Sequence, residues 1–104
     1  MMVRYYKTLR LMAEYECWCI WNIDDRGCDR NIDPSILSLP TDLSKDLEVW
    51  MDAFESTYNK CDPASSGFST SEELATFNKK GENLLLRLRH AIPQTDWRFV
   101  AAVK

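Results

Sequence analysis

Two amphipathic stripes, each able to bury only one side of a helix, constrain this chain more than any other feature. Leu43, Leu47, Trp50, Phe54 and Tyr58 recur at three- and four-residue spacing, which predicts a helix over residues 41–59. Pro40 sits poorly inside a helix, so Thr41 is the expected N-cap, with Asp42 near the positive end of the dipole. The second stripe holds Leu74, Phe77, Gly81, Leu84, Leu85 and Leu88. That helix is expected to start near Thr70, which has capping-box spacing with Glu73, and to run to about His90 before Pro93. Gly81 costs about 1 kcal/mol against alanine inside a helix. Its place on the apolar stripe therefore points to close approach by the first helix or a strand.

Two such helices need a common surface to cover, and the termini offer it. Residues 3–15 alternate in their middle, with Leu9, Leu11 and Ala13 against Arg10 and Glu14, and suit a strand. Residues 17–23 could continue as a second extended piece. Residues 96–103 are short, aromatic and β-branched, as expected of a last strand. The predicted fold is a two-layer α+β domain in which two main helices pack on a small sheet of N- and C-terminal strands. At 104 residues the whole chain, 1–104, is expected to be one domain with one core. Phe54, Leu84 and Leu88 are placed between helices and sheet.

The connections carry turn chemistry. Residues 24–31 are rich in aspartate, asparagine and glycine. In Asp62-Pro63-Ala64-Ser65-Ser66-Gly67-Phe68, the Asp-Pro pair starts a turn and the serines can bond local backbone. Gly67 can take positive φ, and Phe68 can staple onto the second helix.

Charge is distributed unevenly. Residues 1–40 hold five basic and six acidic groups, residues 41–78 two and eight, and residues 79–104 six and two. A net charge of −3 argues against nucleic acid as the partner, since phosphate binding usually needs a basic face. The acidic middle segment instead offers a face to a basic partner. The plainer reading is that Asp46, Glu48, Asp52 and Glu55 are the solvated side of a helix. No apolar h-region marks the N-terminus, and the uncharged run from Cys17 to Ile23 is too short to span a bilayer. A cytoplasmic protein without membrane contact is expected, its four cysteines present as thiols.

Chemistry-bearing residues are few. His90, the single histidine, falls at the end of the second helix, where the dipole favours a structural role. Cys17, Cys19, Cys28 and Cys61 could close a zinc site in a small metal-binding regulatory domain, but paired CxxC knuckles are absent and burial as small apolar residues is the commoner use. No cofactor, no resident metal and no enzymatic activity are expected. Trp50 and Trp97 fit the core. Trp18 and Trp21 border the acidic turn, where at most one can point inward, and an exposed tryptophan beside acids is a typical interface anchor.

From Leu9 to about Arg89, the order and spacing of elements resemble small bacterial immunity proteins of contact-dependent growth inhibition. The resemblance rests on Leu9-Arg10-Leu11-Met12-Ala13-Glu14-Tyr15, a Cys/Trp stretch, Asn31-Ile32-Asp33-Pro34, and the loop from Asp62 to Phe68. Cys19, Cys28 and Cys61 are additions to that pattern. The resemblance implies a protein that binds a cognate toxin domain and blocks its active site. Toxins of this kind are often nucleases with basic clefts, which an acidic inhibitor could fill. The partner-binding residues expected on that basis are Asp24, Asp25, Asp29 and Asp33 of the first loop, Asp46, Asp52 and Glu55 of the first helix, and Trp21 as anchor.

Overall fold

The computed structural model describes residues 6–104. Four strands and two long helices follow in the order β1 (Thr8–Met12), β2 (Ile20–Ile23), β3 (Asp29–Ile32), α1 (Thr41–Glu55), α2 (Ser71–Ala91) and β4 (Asp96–Val100). The strands form one mixed sheet, ordered β3-β2-β1-β4. β1 lies in the centre, antiparallel to β2 and parallel to β4, with Thr8 opposite Asp96 and Met12 opposite Val100. The α+β architecture and the pairing of N- and C-terminal strands are those expected, though residues 3–5 of the anticipated first strand lie outside the described residues.

Alternation explains the core. Leu9, Leu11, Ile20 and Trp97 point to one side of the sheet and are buried there with Leu43, Leu47, Trp50 and Phe54 of α1 and Phe77, Leu84, Leu85 and Leu88 of α2. Phe54, Leu84 and Leu88 all sit in this core. The register places Arg10, Trp21 and Arg98 on the opposite side of the sheet.

The helix starts differ. Thr41 is the first residue of α1 and not its cap: Pro40 occupies the N-cap position without a side-chain bond, and Asp42 accepts from the Leu43 N–H at 2.9 Å. Proline's fixed φ suits this entry, and the missing N–H costs nothing at a helix start. In α2 the capping pair forms. The Thr70 hydroxyl accepts from Glu73 N at 3.1 Å, while the Glu73 carboxylate accepts from Ser69 N at 3.2 Å, one residue before the usual target.

α1 ends at Glu55, short of the expected residue 59. The Ser56 and Thr57 hydroxyls donate to the carbonyls of Ala53 and Phe54 at 2.7 Å, and the Thr57 and Tyr58 N–H groups bond three residues back. These local bonds compete with helix propagation. Tyr58 leaves the stripe and stacks on Tyr15, with ring centroids 4.6 Å apart.

The seven-residue loop does the structural work expected of it. Ser65 Oγ donates to the Asp62 carbonyl, the buried Ser66 hydroxyl accepts from Asn59 N, and Gly67 at φ +136° donates to the Thr57 carbonyl. Phe68 packs 5.0 Å from Phe77, as a staple onto α2.

A hairpin replaces the long turn expected over residues 24–31. Only 24–28 turn, and Asp29–Ile32 pairs with β2 as an edge strand. Asp24 nucleates the reversal by accepting from the N–H groups of Arg26 and Cys28, with Gly27 at φ +78°.

Gly81 faces both the first helix and a strand. A Cβ there would lie 2.7 Å from Trp50 and 2.9 Å from Phe99. Gly81→Ala adds about 1 kcal/mol of helix propensity but overpacks two aromatic rings at a typical cost of about 1–3 kcal/mol. Chemical denaturation should show a net loss of stability, and a gain would mean that the rings yield freely.

Candidate functional site

The tip and edge of the β2–β3 hairpin carry the first group of expected contact residues, and most already have structural partners. Asp24 holds the turn. Asp33 caps the short 3-10 turn at Pro34–Leu37 by accepting from Ser35 N at 3.0 Å. Asp29 lies on β3, not in a loop, and its carboxylate accepts from Arg10 at 2.8 Å. Arg10 also lies over the Trp21 ring, 5.7 Å from its centre. Trp21 is half-buried, and its indole N–H donates to the Met12 carbonyl at 3.0 Å. Asp25 is the most weakly held of these carboxylates, since its contact with Lys7 is 3.4 Å between two largely exposed side chains and adds little.

The α1 residues divide between two sides of the helix. Asp46 and Glu55, nine residues apart, are separated by roughly half a turn of rotation at about 100° per residue. Asp46 faces α2, where Arg87 pairs with it at 2.7 Å and reaches Asp42 at 3.5 Å. The basic C-terminal segment thus neutralises part of the acidic middle one. The cleft between the helices, about 1160 Å³, has Val49, Phe68 and Phe77 in its wall, but a rim of both signs with Glu72, Lys80 and Arg87.

Asp52 and Glu55 belong to a different place. They meet the β1–β2 connection, residues 13–19, which is drawn onto the end of α1 by Tyr15. That ring lies 4.5 Å from Phe54 and 4.6 Å from Tyr58, and its hydroxyl is 2.6 Å from Thr57 Oγ1. Glu16, at φ +60°, donates its backbone N–H to the Glu55 carboxylate at 2.8 Å. Two residues on, the Asn31 carboxamide clamps the backbone of Trp18, accepting from its N–H at 2.8 Å and donating to its carbonyl at 2.7 Å. The result is a groove of about 380 Å³ lined by Glu16, Trp18, Asn31, Met51, Asp52 and Glu55, together with Cys17. Its electrostatics register on that thiol, which is held above the usual cysteine range by burial and by Glu14, Glu16 and Glu55.

The cysteines are not brought together. Cys19 is buried and its thiol is pushed up to about 12 by desolvation, Cys28 and Cys61 are exposed, and all four are free. Among the described residues, no group of three or more histidine, cysteine or acidic side chains could hold a metal ion. His90 is exposed in the last turn of α2 beside Arg89, a favourable place for positive charge. Among the described residues, no helix is long and apolar enough to cross a membrane.

A family model described as Serratia CdiI immunity protein-like matches residues 7–99, from the start of β1 into β4. The chain belongs to this family. No curated protein matches it. The span matched by the immunity-protein-like family contains the buried residues of the core, from Leu9 to Trp97, and the lining of the Trp18 groove.

Sequence reasoning ranked Trp21 above Trp18 and passed over Glu16 and Asn31. Strand parity held part of the answer, because an inward Ile20 sends Trp21 to the far side of the sheet. The clamp that presents Trp18 comes from Asn31, thirteen residues on, and no local pattern announces it.

Proposed function

We propose that this protein is the immunity partner of a cognate toxin domain, acting in the cytoplasm by binding and occluding the toxin's active site rather than by catalysis. The observation that carries the reading is the immunity-protein-like family match over residues 7–99. The toxin is taken to be a basic nuclease, because the inhibitor is acidic overall and carries exposed carboxylates, among them Asp25 at the hairpin and Asp52 on α1. Of the residues assigned to the interface, Asp25, Asp52 and Glu55 are kept as direct contacts, Glu55 while it also accepts from the Glu16 N–H and Asp25 despite its weak contact with Lys7. Asp24, Asp29, Asp33, Asp46 and Trp21 contribute field and shape, because they hold the hairpin turn, the 3-10 cap, two ion pairs and a backbone carbonyl of the fold itself.

Opposite charge acts mainly on the rate of encounter. Stopped-flow mixing with the purified toxin domain encoded beside this gene should show association slowing as salt rises and the screening length shrinks to about 8–10 Å or less. Asp25→Lys should lower the association rate a few-fold at low salt while leaving the unfolding midpoint unchanged. A salt-independent association rate would remove electrostatic capture, and absence of binding by the wild type would remove the immunity reading.

A further inference from the structure

We infer that the groove between the β1–β2 connection and the end of α1 receives an arginine side chain of the toxin, with Trp18 as its stacking wall and Asp52, Glu16 and Glu55 as its counter-charges. This assignment rests on the immunity reading and adds the contact chemistry.

Four observations converge on this groove. Trp18 is 46% exposed, whereas Trp50 and Trp97 are buried and Trp21 is half-buried. Among the described residues its indole N–H also has no acceptor, whereas Trp21, Trp50 and Trp97 donate theirs to the carbonyls of Met12, Phe77 and Ile92. The backbone of Trp18 is nonetheless held by the two Asn31 bonds, so the loop that carries the indole needs no ordering on binding. Finally, the three lining carboxylates have no ion-pair partner among the described residues, while Asp42 and Asp46 share Arg87 and Asp29 holds Arg10.

A flat indole on a held backbone, beside carboxylates without an ion-pair partner among the described residues, is complementary to a guanidinium. The planar cation stacks on the ring while its N–H groups reach an adjacent carboxylate, and arginine is the cation most often found over tryptophan. The groove is of side-chain dimensions, too small for a helix, which fits one inserted residue. The rim of the larger cleft between α1 and α2 mixes both signs, with Asp46 already paired to Arg87, and lacks this complementarity.

Binding of the toxin domain encoded beside this gene, followed by surface plasmon resonance, tests the assignment with three variants. Trp18→Ala removes an anchor side chain that makes no internal side-chain hydrogen bond, and should weaken affinity by about thirtyfold, mainly through faster dissociation. Trp18→Phe keeps a weaker π-face and should fall between the two. Asp52→Asn, on the exposed side of α1, should weaken binding by about threefold to tenfold without changing the fold. If wild type binds and Trp18→Ala binds within about twofold of it, the groove assignment fails while the immunity reading stands. If wild type does not bind, both fail. Self-association of the wild type that Trp18→Ala abolishes would make a second copy the occupant and overturn the arginine assignment.

Discussion

Trp50→Ala should be the most destabilising single change in this protein, lowering the free energy of unfolding by about 3–5 kcal/mol. Trp50 is 4% exposed and sits where α1, α2 and β4 converge. It stacks on Phe77 with centroids 4.5 Å apart and rings within 5° of parallel, and its indole N–H donates to the Phe77 carbonyl at 2.9 Å. Truncation therefore removes a large apolar surface, an inter-helix hydrogen bond and the contact that fits Gly81. A domain of this size has about 5–15 kcal/mol in total, so the variant should lose much of its folded population on modest warming. Urea denaturation followed by circular dichroism gives the number, and a loss below about 1 kcal/mol would show that the helices do not depend on this contact.

The second large effect is expected at Leu88. It is fully buried on α2 within the core, so truncation leaves a cavity there. Leu88→Ala should cost about 2–5 kcal/mol, with Leu84→Ala, 5% exposed, at the lower part of that range. A cost under about 1 kcal/mol at Leu88 would mean that the site collapses around the deletion. Both changes should reduce toxin neutralisation only through the amount of folded protein, because neither side chain reaches the surface.

The helical layer was legible because burial imposes a period. The stripes from Leu43 to Phe54 and from Leu74 to Leu88 placed both helices, Gly81 pointed to a close approach that Trp50 and Phe99 supply, and the terminal strands were found by alternation and β-branching. What failed locally did so for chemical reasons. Hydroxyl bonds from Ser56 and Thr57 stopped α1 early. The polar strand β3 has no apolar alternation to announce it, since Asp29 and Arg30 are exposed and only its last two residues are half-buried.

Less of the candidate site was legible, because it depends on what the fold brings together across long sequence separations. The acidic surplus of residues 41–78 is correct as composition. Arg87, from the basic segment, then offsets it at Asp42 and Asp46, and leaves Asp52 and Glu55 among the carboxylates without an ion-pair partner in the described residues. Glu16 joins them only because Tyr15 docks between Phe54 and Tyr58. Asp29, as an ion-paired strand residue, is also a poorer subject for charge reversal than Asp25: replacing it leaves Arg10, only 17% exposed in its side chain, without its carboxylate.

Growth of cells co-expressing a cognate toxin domain with this protein reads out neutralisation itself. Wild-type protein should restore growth to that of toxin-free cells, and an equally expressed Trp18→Ala/Asp52→Asn double variant should restore it less. Undiminished toxicity in the presence of folded, abundant wild-type protein would contradict the account.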